Sequence, residues 1–229
     1  MTRRIAILGT GDAHTDETSV PEPIRAAVSD GFKAELLKVP GSVFPGTPDA
    51  RETACQAYVA AGLNAASKGF DALYINTVGD YGLAELRARV SIPVSGSGDA
   101  SLRSAAMLGS GFSIVTLWPP QMEFIYRQVL EATGAIDGCR GIHFLSDNSD
   151  LETMGQEDNI ITQIQACQFV PMQTVKSACE AALEGDGSDT VILGCTCMAG
   201  MGPSLKQAGL PVIEPMRTGY LAAEMLARL

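Results

Sequence analysis

Asp71-Ala-Leu-Tyr-Ile-Asn-Thr77 and, 118 residues further on, Asp189-Thr-Val-Ile-Leu-Gly-Cys195 share one pattern. Each opens on an acid, continues through a short apolar run and ends on a small side chain able to act on a ligand. Ile92-Pro93-Val94 lines up with Leu210-Pro211-Val212 in the same register, and Ala106-Met107-Leu108 with Glu224-Met225-Leu226. The first strand, read as ending in Thr10, has a counterpart in Ser113-Ile-Val-Thr116. Separate blocks in a single register mark an internal repeat, so the structure is expected to be built twice.

Around these blocks, short β-rich runs alternate with Ala-rich stretches of helical spacing. Strands are expected at 5–8, 34–39, 72–75, 94, 112–117, 141–144, 190–193 and 212–213. Helices are expected near 21–30, 48–68, 81–88, 99–108, 119–133, 157–184, 203–208 and 217–228. Continuous apolar strands alternating with helices mean parallel sheets covered on both faces. The expected fold is therefore α/β, with two pseudo-symmetric lobes, each a parallel sheet flanked by helices, and an active-site cleft between them. Residues 1–95 with 212–229 would form the first lobe, on the Thr77 side, and 96–211 the second, on the Cys195 side.

Composition narrows the function. The chain has 229 residues, 46% of them apolar, and a formal net charge of −10 from 16 basic and 26 acidic side chains. That charge repels polyanions, which argues against nucleic acid and against an anionic membrane surface. No apolar run approaches the roughly 18 residues of a membrane span. The apolar part of the N-terminus, Ile5–Leu8, is too short for an export signal. A cytoplasmic protein with its cysteines as reduced thiols is the expectation. Cys195 and Cys197 form C-x-C rather than C-x-x-C, and His14 and His143 are the only histidines, so no metal is expected.

The repeat places Thr77 and Cys195 at equivalent positions beyond the ends of strands, where open α/β sheets bind ligands. A buried Cys is a small hydrophobe in the simplest reading, but Gly194-Cys195-Thr196 after a strand favours a reactive thiol. Thr77 would either cap the next helix or face the ligand. Cys197 could meet Cys195 as a redox partner, though packing or pocket lining is the preferred reading. Backbone N–H and hydroxyl donors around Val78, Gly79, Thr196 and Cys197 would hold developing negative charge. Asp12, in the loop Thr10-Gly11-Asp12-Ala13-His14, either contacts substrate or forms a turn. His14 would serve as a base or face solvent. Gly9-Thr10-Gly11 lacks the further residues of a phosphate loop. Asp99 reads as a helix N-cap, and 147–158 as an acidic loop at the rim of the site. Thr116 either faces the ligand or ends its strand.

Five segments together resemble the aspartate/glutamate/hydantoin racemase superfamily over nearly the whole chain. They are Asp71-x-x-x-Ile75-x-Thr77, Gly79-Asp80-Tyr81-Gly82-Leu83, Pro93-Val94-x-Gly96-x-Gly98-Asp99-Ala100, Phe112-Ser-Ile-Val-Thr116 and Gly194-Cys195-Thr196-x-Met198. The G-D-x-G-L run points to its hydantoin-racemase branch. The resemblance implies chemistry with one cysteine per lobe, one thiolate removing a proton from carbon and the other thiol returning a proton on the opposite face. This chain departs from that pattern: Cys195 matches the second-lobe cysteine, but Thr77 stands at the first. A Thr hydroxyl is a far weaker acid and base than a thiol, whose pKa is about 8.5. The family's decarboxylase branch works with a single second-lobe cysteine, and Trp118 stands where that branch has a carboxylate-binding Tyr.

The resulting expectation is a cofactor-independent racemase or isomerase acting on an activated carbon acid such as a hydantoin, ureide or amino acid derivative. Cys195 and Thr77 would be catalytic; Thr10, Asp12, Val78, Gly79, Thr116, Trp118, Thr196 and Cys197 would bind substrate. The ligand would be a small carboxylate or ureide, and the protein a homo-oligomer. The alternatives are a one-base decarboxylase, lyase or cis–trans isomerase, a Cys-dependent hydrolase, or a metabolite-binding protein without turnover.

Overall fold

The computed structural model describes residues 2–9, 19–153, 163 and 170–229. The chain divides into two compact units, Met1–Ala100 with Met216–Leu229, and Ser101–Pro215. The return to the first unit thus follows the last strand, rather than falling at residue 212.

The first unit carries a parallel sheet of β1 (Arg3–Leu8), β2 (Phe32–Leu37), β3 (Ala72–Ile75) and β4 (Val94–Gly96) in the order β2-β1-β3-β4. The second carries β5 (Phe112–Thr116), β6 (Cys139–Phe144), β7 (Thr190–Leu193) and β8 (Val212–Ile213) in the order β6-β5-β7-β8, again parallel. Each position in one sheet has its counterpart in the other, so the repeat read from the sequence is a repeat of topology. The inner strands β3, β5 and β7 are buried along their whole length, as sheets covered on both faces require. The edge strands β2 and β6 are largely half-buried.

The helices that pack on these sheets are α1 (Glu22–Arg25), α2 (Pro48–Ala66), α3 (Leu83–Arg89), α4 (Ser97–Leu108), α5 (Glu123–Thr133), α6 (Met172–Gly185), α7 (Gly202–Gln207) and α8 (Pro215–Leu226). α4 and α8 are both twelve residues long and start at equivalent points of the repeat. The hydroxyl of Thr47 accepts from Ala50 N–H at 3.2 Å and Pro48 fills the first turn, which fixes the start of α2.

One expected helix comes out shorter. The one expected over 21–30 is a single turn, which leads into the chain reversal at Gly31 (φ 83°). Of the helix expected over 157–184, the part from Met172 is described as α6, Gln163 is helical, and the rest of 157–169 lies outside the described residues. Pro171 precedes α6 in an extended conformation (ψ 140°), as a residue that ends rather than continues a helix would. Each unit has its own core. One gathers Leu8, Tyr58, Leu73, Ile75 and Leu86 with their neighbours; the other gathers Val115, Leu117, Val175, Val191, Leu193 and Met198.

Candidate active site

Thr77 lies two residues beyond β3, and Cys195 two residues beyond β7, the equivalent strand of the other sheet. Each leaves the carboxyl edge of an inner parallel strand, the edge at which such sheets take ligands.

In the first unit the Thr77 hydroxyl is buried and has no hydrogen-bond partner. It caps no helix: α3 starts after Gly82, which has φ 74° and no side-chain cap. A buried hydroxyl without a partner costs about 1–3 kcal/mol. Val78 is half-buried and Gly79 is buried. The Tyr81 ring fills the space that a side chain at 79 would need. Arg51, from the first turn of α2, reaches the same loop: its Nη2 lies 3.5 Å from the Gly79 carbonyl.

Asp80, one residue on, was not assigned a role from the sequence, and its geometry is unusual. It is a non-glycine residue at φ 46°, and it is buried. Its carboxyl accepts from Gly98 N–H at 3.0 Å and Asp99 N–H at 2.5 Å, at the start of α4. Gly96 is required there, because a β-carbon would collide with the Asp80 carboxyl. The N-cap expected of Asp99 is therefore supplied by Asp80, while Asp99 turns to Arg87 in a 2.9 Å ion pair. Burial pushes the Asp80 carboxyl up to about 7, against the pull of the Asp99 and Gly98 N–H groups. On β3, the Tyr74 hydroxyl lies 2.9 Å from Asn76 Oδ1 and 2.7 Å from Ser97 Oγ, fixing the strand end just before Thr77.

In the second unit the Cys195 turn is held from below. Tyr126, on α5, donates its hydroxyl to the Gly194 carbonyl at 2.8 Å and lies 2.5 Å from Thr116 Oγ1. Thr116 Oγ1 also accepts from Trp118 N–H at 3.2 Å. Gly194 passes so close that a β-carbon would come within 2.6 Å of Thr116 Cβ. Thr116 is fully buried with its hydroxyl engaged. It thereby ties the end of β5 to Tyr126 and so to the Cys195 turn. Trp118 is partly buried against the second core, and Thr196 is half-buried.

Cys195 is extended (φ −143°) and begins the 3₁₀ turn Thr196–Met201, its sulfur accepting from Cys197 N–H at 3.1 Å. That turn folds residue 197 back onto 195, and the two sulfurs are joined in a disulfide with Cα atoms 5.1 Å apart. This corrects the expectation that all the cysteines are reduced thiols, and for Cys197 it favours the alternative of a redox partner to Cys195 over the preferred reading of packing or pocket lining. The C-x-C spacing permits this contact but does not decide it, because it depends on the extended backbone of Cys195. The described free thiols are poor alternatives for chemistry. Burial pushes Cys55 and Cys139 up and Cys179 to about 11, which disfavours thiolates.

Thr10, Asp12 and His14 lie outside the described residues. The acidic stretch at 147–158 opens with a 3₁₀ turn, Asn148–Thr153, and the rest, 154–158, also lies outside them. His143 is 2.7 Å from Asp186 Oδ2, which also accepts from Ser113 Oγ at 2.6 Å. Among the described residues no group of His, Cys, Asp or Glu is placed to hold a metal ion. None of their helices is long and apolar enough to cross a membrane.

The sequence profile of the Asp/Glu/hydantoin racemase family matches residues 20–223. A hydantoin racemase of Paenarthrobacter aurescens is 28% identical over 160 residues, covering 69% of this chain and 62% of that protein. One from Pseudomonas sp. (strain NS671) is 27% identical over 163 residues, covering 71% and 60%. The chain thus spans about three fifths of the length of these relatives. Among solved structures, an allantoin racemase from Klebsiella pneumoniae superposes with a TM-score of 0.78 at 24% identity, over 99% of this chain and 88% of that one. Unliganded arylmalonate decarboxylase superposes with a TM-score of 0.65 at 18% identity, over 99% and 93%.

Proposed function

The chain belongs to the Asp/Glu/hydantoin racemase family, and from that premise we propose that it is a cofactor-independent racemase of a hydantoin- or ureide-type carbon acid. The observation that carries the reading is the place of Cys195. It stands at the carboxyl edge of β7, with a backbone N–H on its sulfur, at the position equivalent to Thr77.

In this reading the reduced Cys195 thiolate takes the proton from the carbon beside the substrate carbonyl. The C–H bond breaks, its electron pair moves into an enolate, and the thiolate becomes a thiol. Returning a proton to the opposite face inverts the centre, with Thr77 as the weaker second group. Thr10, Asp12, Val78, Gly79, Thr116, Trp118, Thr196 and Cys197 remain the proposed substrate contacts. A disulfide-bonded Cys195 has no proton to exchange, so the reading requires the Cys195–Cys197 bond to be opened, as a cytoplasmic thiol pool would do. A second reading follows from Thr77 itself: with one thiol only, proton delivery to a single face would suit decarboxylation of a substituted malonate.

The test is solvent exchange. Protein reduced with dithiothreitol is incubated in D2O with enantiopure 5-monosubstituted hydantoins, allantoin and aryl malonates, and mass and optical rotation are followed together. Deuterium at the acidic carbon with loss of rotation is expected, falling by about 10²–10⁴-fold in Cys195→Ala. Release of carbon dioxide with retained optical purity would favour the second reading. Exchange that survives in Cys195→Ala would sink both.

A further inference from the structure

We propose that Arg51 recognises the substrate, taking an oxygen that carries full or developing negative charge. This rests on the reading of the Thr77 end of β3 as part of the active site.

The argument begins with topology. β2 and β3 are parallel, so the start of α2, which follows β2, lies at the same sheet edge as the residues that follow β3. That edge is where α/β sheets bind ligands. Arg51 occupies the first turn of α2 and extends to the loop after Thr77, where its Nη2 meets the Gly79 carbonyl at 3.5 Å, a long contact. Its guanidinium carbon lies 5.6 Å from the centre of the Tyr81 ring, the ring that fills the space beside Gly79. The guanidinium is thereby placed by Nη2 and by the ring, and it keeps an unused donor.

That donor is Nε. It is buried and has no hydrogen-bond partner, and the same is true of Thr77 Oγ1. Two orphaned buried polar atoms thus belong to residues that converge on one short loop. Leaving an Arg N–H dry and unpaired is costly, because charged donors lose more on desolvation than neutral ones. Such groups persist where something outside the chain completes them. The chemistry of the pair defines that partner. A guanidinium offers only donors and a permanent positive charge, and a hydroxyl can donate beside it. The partner is therefore an oxygen acceptor: a carboxylate in the ground state, or a carbonyl oxygen that becomes an enolate oxygen as the proton leaves. A cation already in place where that charge develops needs no reorganisation during the reaction.

The experiment uses the reduced 229-residue chain and two racemic probes, so that turnover does not alter their composition during binding. N-carbamoylphenylalanine presents a carboxylate, and 5-benzylhydantoin, its ring-closed counterpart, presents neutral carbonyls. Dissociation constants are measured by calorimetry and kcat and KM by deuterium exchange, for the parent, Arg51→Gln and Arg51→Lys. If the charge is full, Arg51→Gln weakens N-carbamoylphenylalanine by about 10–100-fold, and Arg51→Lys retains part of the affinity. If the charge develops, 5-benzylhydantoin binds as before while its kcat falls by about 10²-fold. Either loss supports the proposal, and which one appears identifies the oxygen. A purely structural Arg51 would lower the unfolding temperature of the free protein and leave both probes within about twofold of the parent, which would overturn it. So would a parent protein that binds neither probe. Arg51-dependent binding without any deuterium exchange would remove the racemase reading and leave Arg51 in place.

Discussion

At the scale of single residues, the environment of Cys195 sets it apart from the other described thiols. Cys55, Cys139 and Cys179 are shifted away from ionisation by burial, whereas Cys195 has an N–H donor on its sulfur. Its pairing with Cys197 makes a direct prediction. Thiol titration of the folded protein should gain two equivalents after dithiothreitol, and in Cys197→Ser the Cys195 thiol should react without prior reduction. A Cys195 that alkylates fully in unreduced parent protein would contradict the pairing. The Tyr126 hydroxyl is the second residue to test, because it serves both the Gly194 carbonyl and Thr116 Oγ1. Tyr126→Phe leaves those two groups buried without it and is expected to cost about 1–3 kcal/mol of stability, read from urea unfolding. It should also loosen the turn that presents Cys195, lowering kcat more than raising KM. Tyr126 could not be read from the sequence, and the Cys195–Cys197 bond stood there only as the less favoured alternative. The first is a contact across 68 positions, and the second needs one particular backbone angle at Cys195.

At the scale of elements, the start of α4 shows how a local rule can be overridden. Asp99 looks like a cap because it follows Gly-Ser-Gly before an Ala-rich run. The structure gives the capping to Asp80, 18 and 19 positions upstream of its donors, and leaves Asp99 to Arg87. A nearest-neighbour reading cannot see that exchange, although the G-D-x-G-L run already held the residue responsible. The consequence for stability has a definite sign. Burial raises Asp80 in the folded protein to about 7, while in the unfolded chain it titrates near 3.9. Between about pH 4 and pH 7 the folded state therefore holds a proton that the unfolded state has released, and the contribution of Asp80 to stability declines as pH rises through that window. Below it, both states are protonated and the contribution is complete. Thermal unfolding from pH 4 to pH 8 should show this decline in the parent and a flatter profile in Asp80→Asn. An identical slope in both would assign the pH dependence to other groups. The strands were far more legible than this cap, because buried parallel strands are written as unbroken apolar runs that no distant residue can alter.

At the scale of the whole molecule, the offset of 118 residues holds from β3 and β7 through the final helices α4 and α8. Two sheets of the same strand order result, each with its own core. This level was the most legible, since a repeat in sequence that keeps register must become a repeat in structure. The repeat also makes the difference between Thr77 and Cys195 meaningful: the same structural position has been given a strong acid–base group once and a weak one once. If Thr77 is the second proton-transfer group, then restoring chemical equivalence should speed the reaction. A thiol at 77 would ionise near pH 8.5 rather than far above the working range, and general acid–base catalysis improves as the group's pKa approaches the operating pH. Thr77→Cys, reduced, is therefore expected to raise kcat/KM for hydantoin racemisation by about tenfold or more, with deuterium exchange rising in step. The substitution removes one methyl group and replaces an unpartnered hydroxyl, so little loss of stability should obscure the result. An unchanged or lower rate, in protein whose unfolding temperature matches the parent, would remove Thr77 from proton transfer. Its buried hydroxyl would then be left to hold substrate beside Arg51, and Cys195 alone would carry the exchange.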